Sequence, residues 1–140
     1  MRKTVFVLVA LMLTLGLLAA CGGDSGQTGG TGGTGGTTAA GDVAAGETLF
    51  AQATIDALPG CQTCHSLDGS QLVGPTMQGY AGRAGTRVQG QSAEPYTRTS
   101  ITDPNAHIVE GYAQGVMPAY NDALDDTQLN NLVAYLLSLN

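Results

Sequence analysis

Cys61-Gln62-Thr63-Cys64-His65 carries two thiols three positions apart and an imidazole directly after the second. On the first turn of a helix, residues three apart share a face. Both thiols can then reach the two vinyl groups of one porphyrin, while the adjacent imidazole turns to its iron from the same side. The spacing is that of covalent c-type haem attachment, one haem c per motif. Other chemistries use the same residue types. Disulfide exchange at C-x-x-C needs a βαβ setting, and no such pattern surrounds the motif. A zinc ion held by Cys61, Cys64, His65 and His107 would have to take two ligands from adjacent residues, and no second C-x-x-C exists. A chance match is disfavoured by the export signal at the start of the chain.

Iron held by His65 has a second axial position. Its candidates are Met77, His107 and Met117, because the other two methionines lie in the leader. Met77 follows His65 closely and reads as an apolar side chain packed on the same side of the plane. His107, among Asn105, Glu110 and Gly111, reads as a surface imidazole. Met117 stands in Gly115-Val116-Met117-Pro118, where Gly allows a tight approach and Pro stiffens the loop. Met117 is therefore the expected thioether ligand, and His/Met ligation raises the reduction potential.

Around this motif the segment 42–140 reads as one all-α domain with long Gly-containing loops. Val43, Gly46, Leu49 and Phe50 fall on one helical face that Asp42 can cap. At the far end Asp125 and Gln128 form a capping-box pattern before Leu129, Leu132, Val133 and Leu136. A shorter helix is predicted from Pro95 to Thr102, closed by Asp103-Pro104. No run alternates with period two for long. The domain is short of large apolar residues, and a bound apolar group can make up that shortage.

Residues 1–21 form a leader. Arg2 and Lys3 precede an apolar run from Val5 to Ala20, which ends in Leu18-Ala19-Ala20-Cys21. Small residues before a lone Cys resemble the lipobox of bacterial lipoproteins, in which that Cys is lipidated. The resemblance implies a lipid on Cys21 and a bilayer anchor at the N-terminus. An uncleaved anchor is the alternative, though the run is short for a span. Both place the domain at a membrane, facing the periplasm or cell exterior.

Residues 22–41 contain ten Gly and five Thr, with three Gly-Gly-Thr units, and can build no core. Such a tether has an r.m.s. span of about 25 Å and a maximum of roughly 70 Å.

The formal charge of the 140 residues is −6, with 11 acidic against 5 basic residues. Nucleic-acid binding, which needs a basic stripe, is excluded. So is a disulfide scaffold, with only three Cys. The cysteines divide as one for lipid and two for haem.

Taken in order, Gly46 and Phe50, the motif 61–65, Gly74-Pro75, Val116-Met117-Pro118 and Leu132-Val133-Ala134-Tyr135-Leu136 resemble class I monohaem cytochromes c of the lipoprotein type. The resemblance covers most of 42–140. It implies terminal helices that cross at Gly46 with Phe50 and Tyr135 packed there, and the haem as core. It also implies a Pro75 carbonyl that accepts a hydrogen bond from His65 Nδ1 and so orients the imidazole. Tyr96 and Arg98, with Arg83 less favoured, are the implied holders of the haem propionates.

The stretch from Tyr96 to Tyr112 is similar to the cytochrome domain of haem-copper oxidase subunit II and to the monohaem subunit of alternative complex III. Two features depart from the family: Ala51–Gly60 is an insertion, and the Lys-rich docking face of soluble mitochondrial relatives is missing. These observations imply an electron carrier, not an enzyme. Its partners would be membrane redox complexes: a quinol-oxidising complex, a terminal oxidase or a photosynthetic reaction centre. No small-molecule substrate is implied. The alternative is a fixed subunit of a quinol-oxidising complex or of a terminal oxidase. A peroxidase-like haem finds no distal His-Arg couple to support it.

Overall fold

The computed structural model describes residues 40–140; the expected leader with Cys21, and the expected tether up to residue 39, lie outside the described residues. The fold is all-α apart from one two-stranded hairpin. In chain order it comprises helix α1 (Val43–Phe50), strands β1 (Thr54–Ile55) and β2 (Leu58–Pro59), a 3₁₀ turn (Cys61–Thr63), and helices α2 (Tyr80–Ala84), α3 (Ala93–Thr102) and α4 (Asp126–Leu136).

Both terminal helices begin where their caps predict. The Asp42 carboxylate accepts from the Ala45 N–H at 3.0 Å. Asp125 accepts from the Gln128 N–H at 2.8 Å, and the Gln128 side chain accepts from the Asp125 N–H at 3.0 Å, completing the capping box. Each cap satisfies an N–H that the helix cannot pair internally. Helix α3 starts two residues before the sequence expectation, after Ser92. Pro95 does not mark its first position; it sits within the first turn, where a missing N–H costs nothing.

Helix α1 lies directly on α4. A Cβ on Gly46 would come within 2.0 Å of the Asn131 carbonyl oxygen and 2.7 Å of Tyr135 Cβ, so only glycine permits the approach. The rings of Phe50 and Tyr135 pack beside it with centroids 5.5 Å apart, an arrangement that adds to the apolar burial. Asn131 also accepts from the Asp42 N–H through its side chain, at 2.8 Å. This is the helix crossing that the sequence resemblance implied.

The core runs from this crossing through Leu49, Ile55, Leu129, Leu132 and Leu136 to Tyr80, Tyr96 and Ile101. Tyr80 of α2 and Thr97 of α3 join in a buried hydroxyl pair at 2.9 Å, and Thr97 donates to the Ala93 carbonyl at 2.7 Å. The Ala81 N–H bonds the Leu139 carbonyl at 2.9 Å, which fastens α2 to the C-terminal end. Every buried polar side-chain atom among the described residues has a partner.

The insertion 51–60 is the antiparallel hairpin β1–β2, paired Thr54 with Pro59 and Ile55 with Leu58. Two-residue strands leave no periodic signal, which is why the sequence pattern shows nothing there. Among the described residues no helix is long and apolar enough to cross a membrane.

Candidate functional site

The helices and loops surround a cleft of roughly 1270 Å³, its open mouth included, into which the motif 61–65 projects. The motif does not occupy the first turn of an α-helix, as the spacing argument supposed. It forms a single 3₁₀ turn, in which the N–H groups of Cys64 and His65 bond the Cys61 carbonyl at 3.1 and 3.0 Å. One tight turn still brings Cys61, Cys64 and His65 to the same cleft. Both thiols are free. Burial pushes the Cys61 thiol up to about 11. A thiol held neutral in this way is unsuited to disulfide exchange.

His65 is buried, and its Nδ1 lies 2.8 Å from the Pro75 carbonyl. Since a carbonyl only accepts, Nδ1 carries the proton and Nε2 keeps its lone pair. Burial lowers the basicity of His65 below the ordinary 6.5, and the Pro75 hydrogen bond opposes that shift. The imidazole is therefore held neutral, in the tautomer that coordinates through Nε2.

The segment that orients it is wrapped closely around the ring. Gly74 N–H bonds the Cys64 carbonyl at 2.8 Å, and Met77 N–H bonds the Ser66 carbonyl at 2.7 Å. A Cβ on Gly74 would lie 2.5 Å from His65 Cε1. Met77 is buried in this wrapping segment and lines the cleft.

Met117 reaches the cleft from a separate loop. Gly115 enters that loop at φ +76°, a conformation glycine adopts without strain, and its N–H is held by the Asn105 side chain at 2.9 Å. Tyr120 closes the loop on α3 through its N–H, 3.1 Å from the Ile101 carbonyl. Two loop residues are thus fixed on either side of the thioether. His107 also lines the cleft, edge-on to the Tyr96 ring with centroids 5.9 Å apart.

Tyr96 lines the cleft as expected; Arg98 does not. The Arg98 guanidinium is engaged by Glu94 at 2.9 Å and by the Asn130 side chain at 2.7 Å, across the α3–α4 contact. Residues two apart on a helix face different directions, so Tyr96 and Arg98 cannot both look into one cleft. The Glu94/Arg98 spacing of four was the sequence signal for that outward pairing.

Arg83 and Arg87 line the cleft instead, and with Thr86, His107 and Glu110 they edge a notch at its rim. Arg83 also donates to the carbonyls of Thr76 and Gln78 and lies over the Tyr80 ring. Arg87 and Tyr120 were not singled out by sequence reasoning. The spacing of four between Arg83 and Arg87 was the available clue to the first, and nothing local pointed to the second.

Among the described residues no three of His, Cys, Asp or Glu form a group that could hold a metal ion by themselves. The donor set does suit an iron porphyrin. It offers two free thiols on one turn, one imidazole in the coordinating tautomer, a glycine that leaves the ring its place, and a largely apolar wall of which Phe50, Ile101, Leu132 and Leu136 are part.

Residues 43–140 match the family model described as Cytochrome c. No curated protein matches the chain.

Proposed function

The chain belongs to the cytochrome c family, and on that footing we propose that it is a membrane-tethered, single-haem carrier passing electrons singly between membrane redox complexes. Membership itself makes the chain an electron-transfer protein with covalently held haem c. When bound, haem c supplies a one-electron ferric–ferrous couple.

The protein's part is to hold, orient and dry that group. Cys61 and Cys64 would form the covalent links, and His65 and Met117 would ligate the iron. The observation that carries this assignment is the convergence of one turn, Cys61–His65, and one distant loop, 115–120, on a single cleft. The Pro75 carbonyl keeps Nε2 of His65 free to coordinate. Phe50, Ile101, Leu132 and Leu136 exclude water, which favours the less charged iron and raises the potential. Arg83, Arg87 and Tyr96 are assigned the haem carboxylates, in place of Arg98.

The tether reading rests on the leader and the Gly/Thr segment. A lipid on Cys21 and a Gly/Thr-rich segment of 20 residues would raise the concentration of the domain at a membrane partner, so a weak, quickly released contact suffices. At the cleft mouth Val73 and Val116 remain 59% and 49% exposed. This apolar mouth on an acidic chain favours an apolar or basic docking surface on the partner.

Two measurements test the proposal. The loaded protein should show a low-spin ferric spectrum with a thioether-to-iron band, and Met117→Ala should abolish that band; an unchanged spectrum removes Met117 from the iron. In membranes solubilised with mild detergent the protein should run as a small monomer. Co-migration with a large multi-haem assembly would make it a fixed subunit instead.

A further inference from the structure

The hairpin inserted before the motif and the loop that carries Met117 are joined by one side chain. Tyr120, three residues after Met117, is 4% exposed. Its hydroxyl donates to the carbonyl of Pro59, the last residue of β2 and two before Cys61. Its N–H bonds the Ile101 carbonyl on α3, and its own carbonyl accepts from the N–H groups of Ala123 and Leu124 at 3.2 and 3.1 Å. The ring between these bonds lies in the core and against the cleft.

The hairpin at the other end is itself fixed. Ile55 is buried in the core, Leu58 packs against it, and the Gly60 N–H bonds the Ala53 carbonyl at 2.8 Å. The Gln62 side chain donates to the Ala51 carbonyl, so the motif turn is also clasped to the start of the insertion. Pro59 is therefore a rigid acceptor immediately ahead of the attachment cysteines.

We propose that Tyr120 is a positioning residue for Met117, and that the insertion 51–60 exists in this chain to supply its anchor. The inference rests on the reading of Met117 as the sixth ligand. The Met117 loop can leave the iron only by swinging about its ends, and Tyr120 pins one of them to the segment that bears Cys61. Removing the hydroxyl leaves the Pro59 carbonyl unpaired and frees that end. The fraction of molecules with the loop open then rises, and a small external ligand that needs the open form binds more tightly in proportion.

The test is a titration of the haem-loaded protein with free imidazole, following loss of the thioether-to-iron band, alongside the far-UV melting curve. One hydrogen bond of ordinary worth predicts about fivefold tighter imidazole binding by Tyr120→Phe than by the wild type. Leu58→Ala, which loosens the hairpin without touching Tyr120, should shift the titration in the same direction. Imidazole affinity within twofold of the wild type in Tyr120→Phe overturns the inference, whatever happens to the melting curve, because a purely structural tyrosine would change only the latter. If Tyr120→Phe yields no loaded protein, Leu58→Ala decides by the same criterion. Met117→Ala is carried in parallel: a band that persists there refutes the ligand reading itself. A band lost there, with unaltered affinity in the hairpin variants, refutes only the role of Tyr120.

Discussion

At the scale of single residues, the site is governed by what stands next to His65. The imidazole is oriented by one carbonyl, Pro75, and confined by one missing side chain, at Gly74. Gly74→Ala would place a methyl 2.5 Å from Cε1, and the ring must turn away from Pro75 to make room. A cost of about 2 kcal/mol is expected for such overpacking. Because it falls on the proposed iron ligand, the loaded variant should show a mixed- or high-spin ferric spectrum beside a nearly normal helix signal. A low-spin spectrum identical to the wild type would mean that the wrapping segment yields and does not orient the ring.

The same scale shows how residue-level reading fails. Tyr96 and Arg98 pair naturally in sequence because both belong to a stretch with a family resemblance. A helix separates them by about 200°, and Glu94 and Asn130 claim the guanidinium before any cofactor can.

Among the elements, the contact between α1 and α4 bears most of the fold's order. Both helices are short and carry strong caps, so each is specified locally; their closeness of approach depends on the missing side chain at Gly46. Gly46→Ala sets a methyl 2.0 Å from the Asn131 oxygen, a backbone atom that cannot step aside. A loss of about 3 kcal/mol is expected, and a fall in melting temperature of ~15 °C in a domain of this size. Since Gly46 itself does not line the cleft, the low-spin spectrum of the surviving folded fraction should not change. A melting temperature within a few degrees of the wild type would show that the helices can separate without penalty. The caps and the periodic faces of α1 and α4 were legible because they are local. Helix α2 and the hairpin were not, because elements of five and two residues carry no period and exist only through the contacts that Tyr80, Ile55 and Pro59 make with the rest.

Over the whole molecule, the tyrosines report how the core is sealed. Burial pushes Tyr80 and Tyr120 up to about 12, from an ordinary 10.0. The folded state then keeps two protons that the unfolded chain gives up. The stability this represents is complete below pH 10 and is lost as the pH rises through 12. Burial raises Tyr135 as well, so phenolate absorbance of the loaded protein should lag for these three of the five tyrosines and appear together with loss of the helix signal. Their ionisation near pH 10 in an intact fold would show that the core is open to water.

Sequence alone determined the features that depend on neighbours along the chain. They include the two thiols and the imidazole set within five residues, the caps that start the terminal helices, and the all-α class. Only the tertiary structure decided the features that depend on direction across space. Arg83 and Arg87 face the cleft while Arg98 turns away, Gly74 clears the ring of His65, and Tyr120 reaches back to Pro59. The physical reason is that a side chain's bearing is set by the packing of its whole element, and the packing of one element is settled only by all the others.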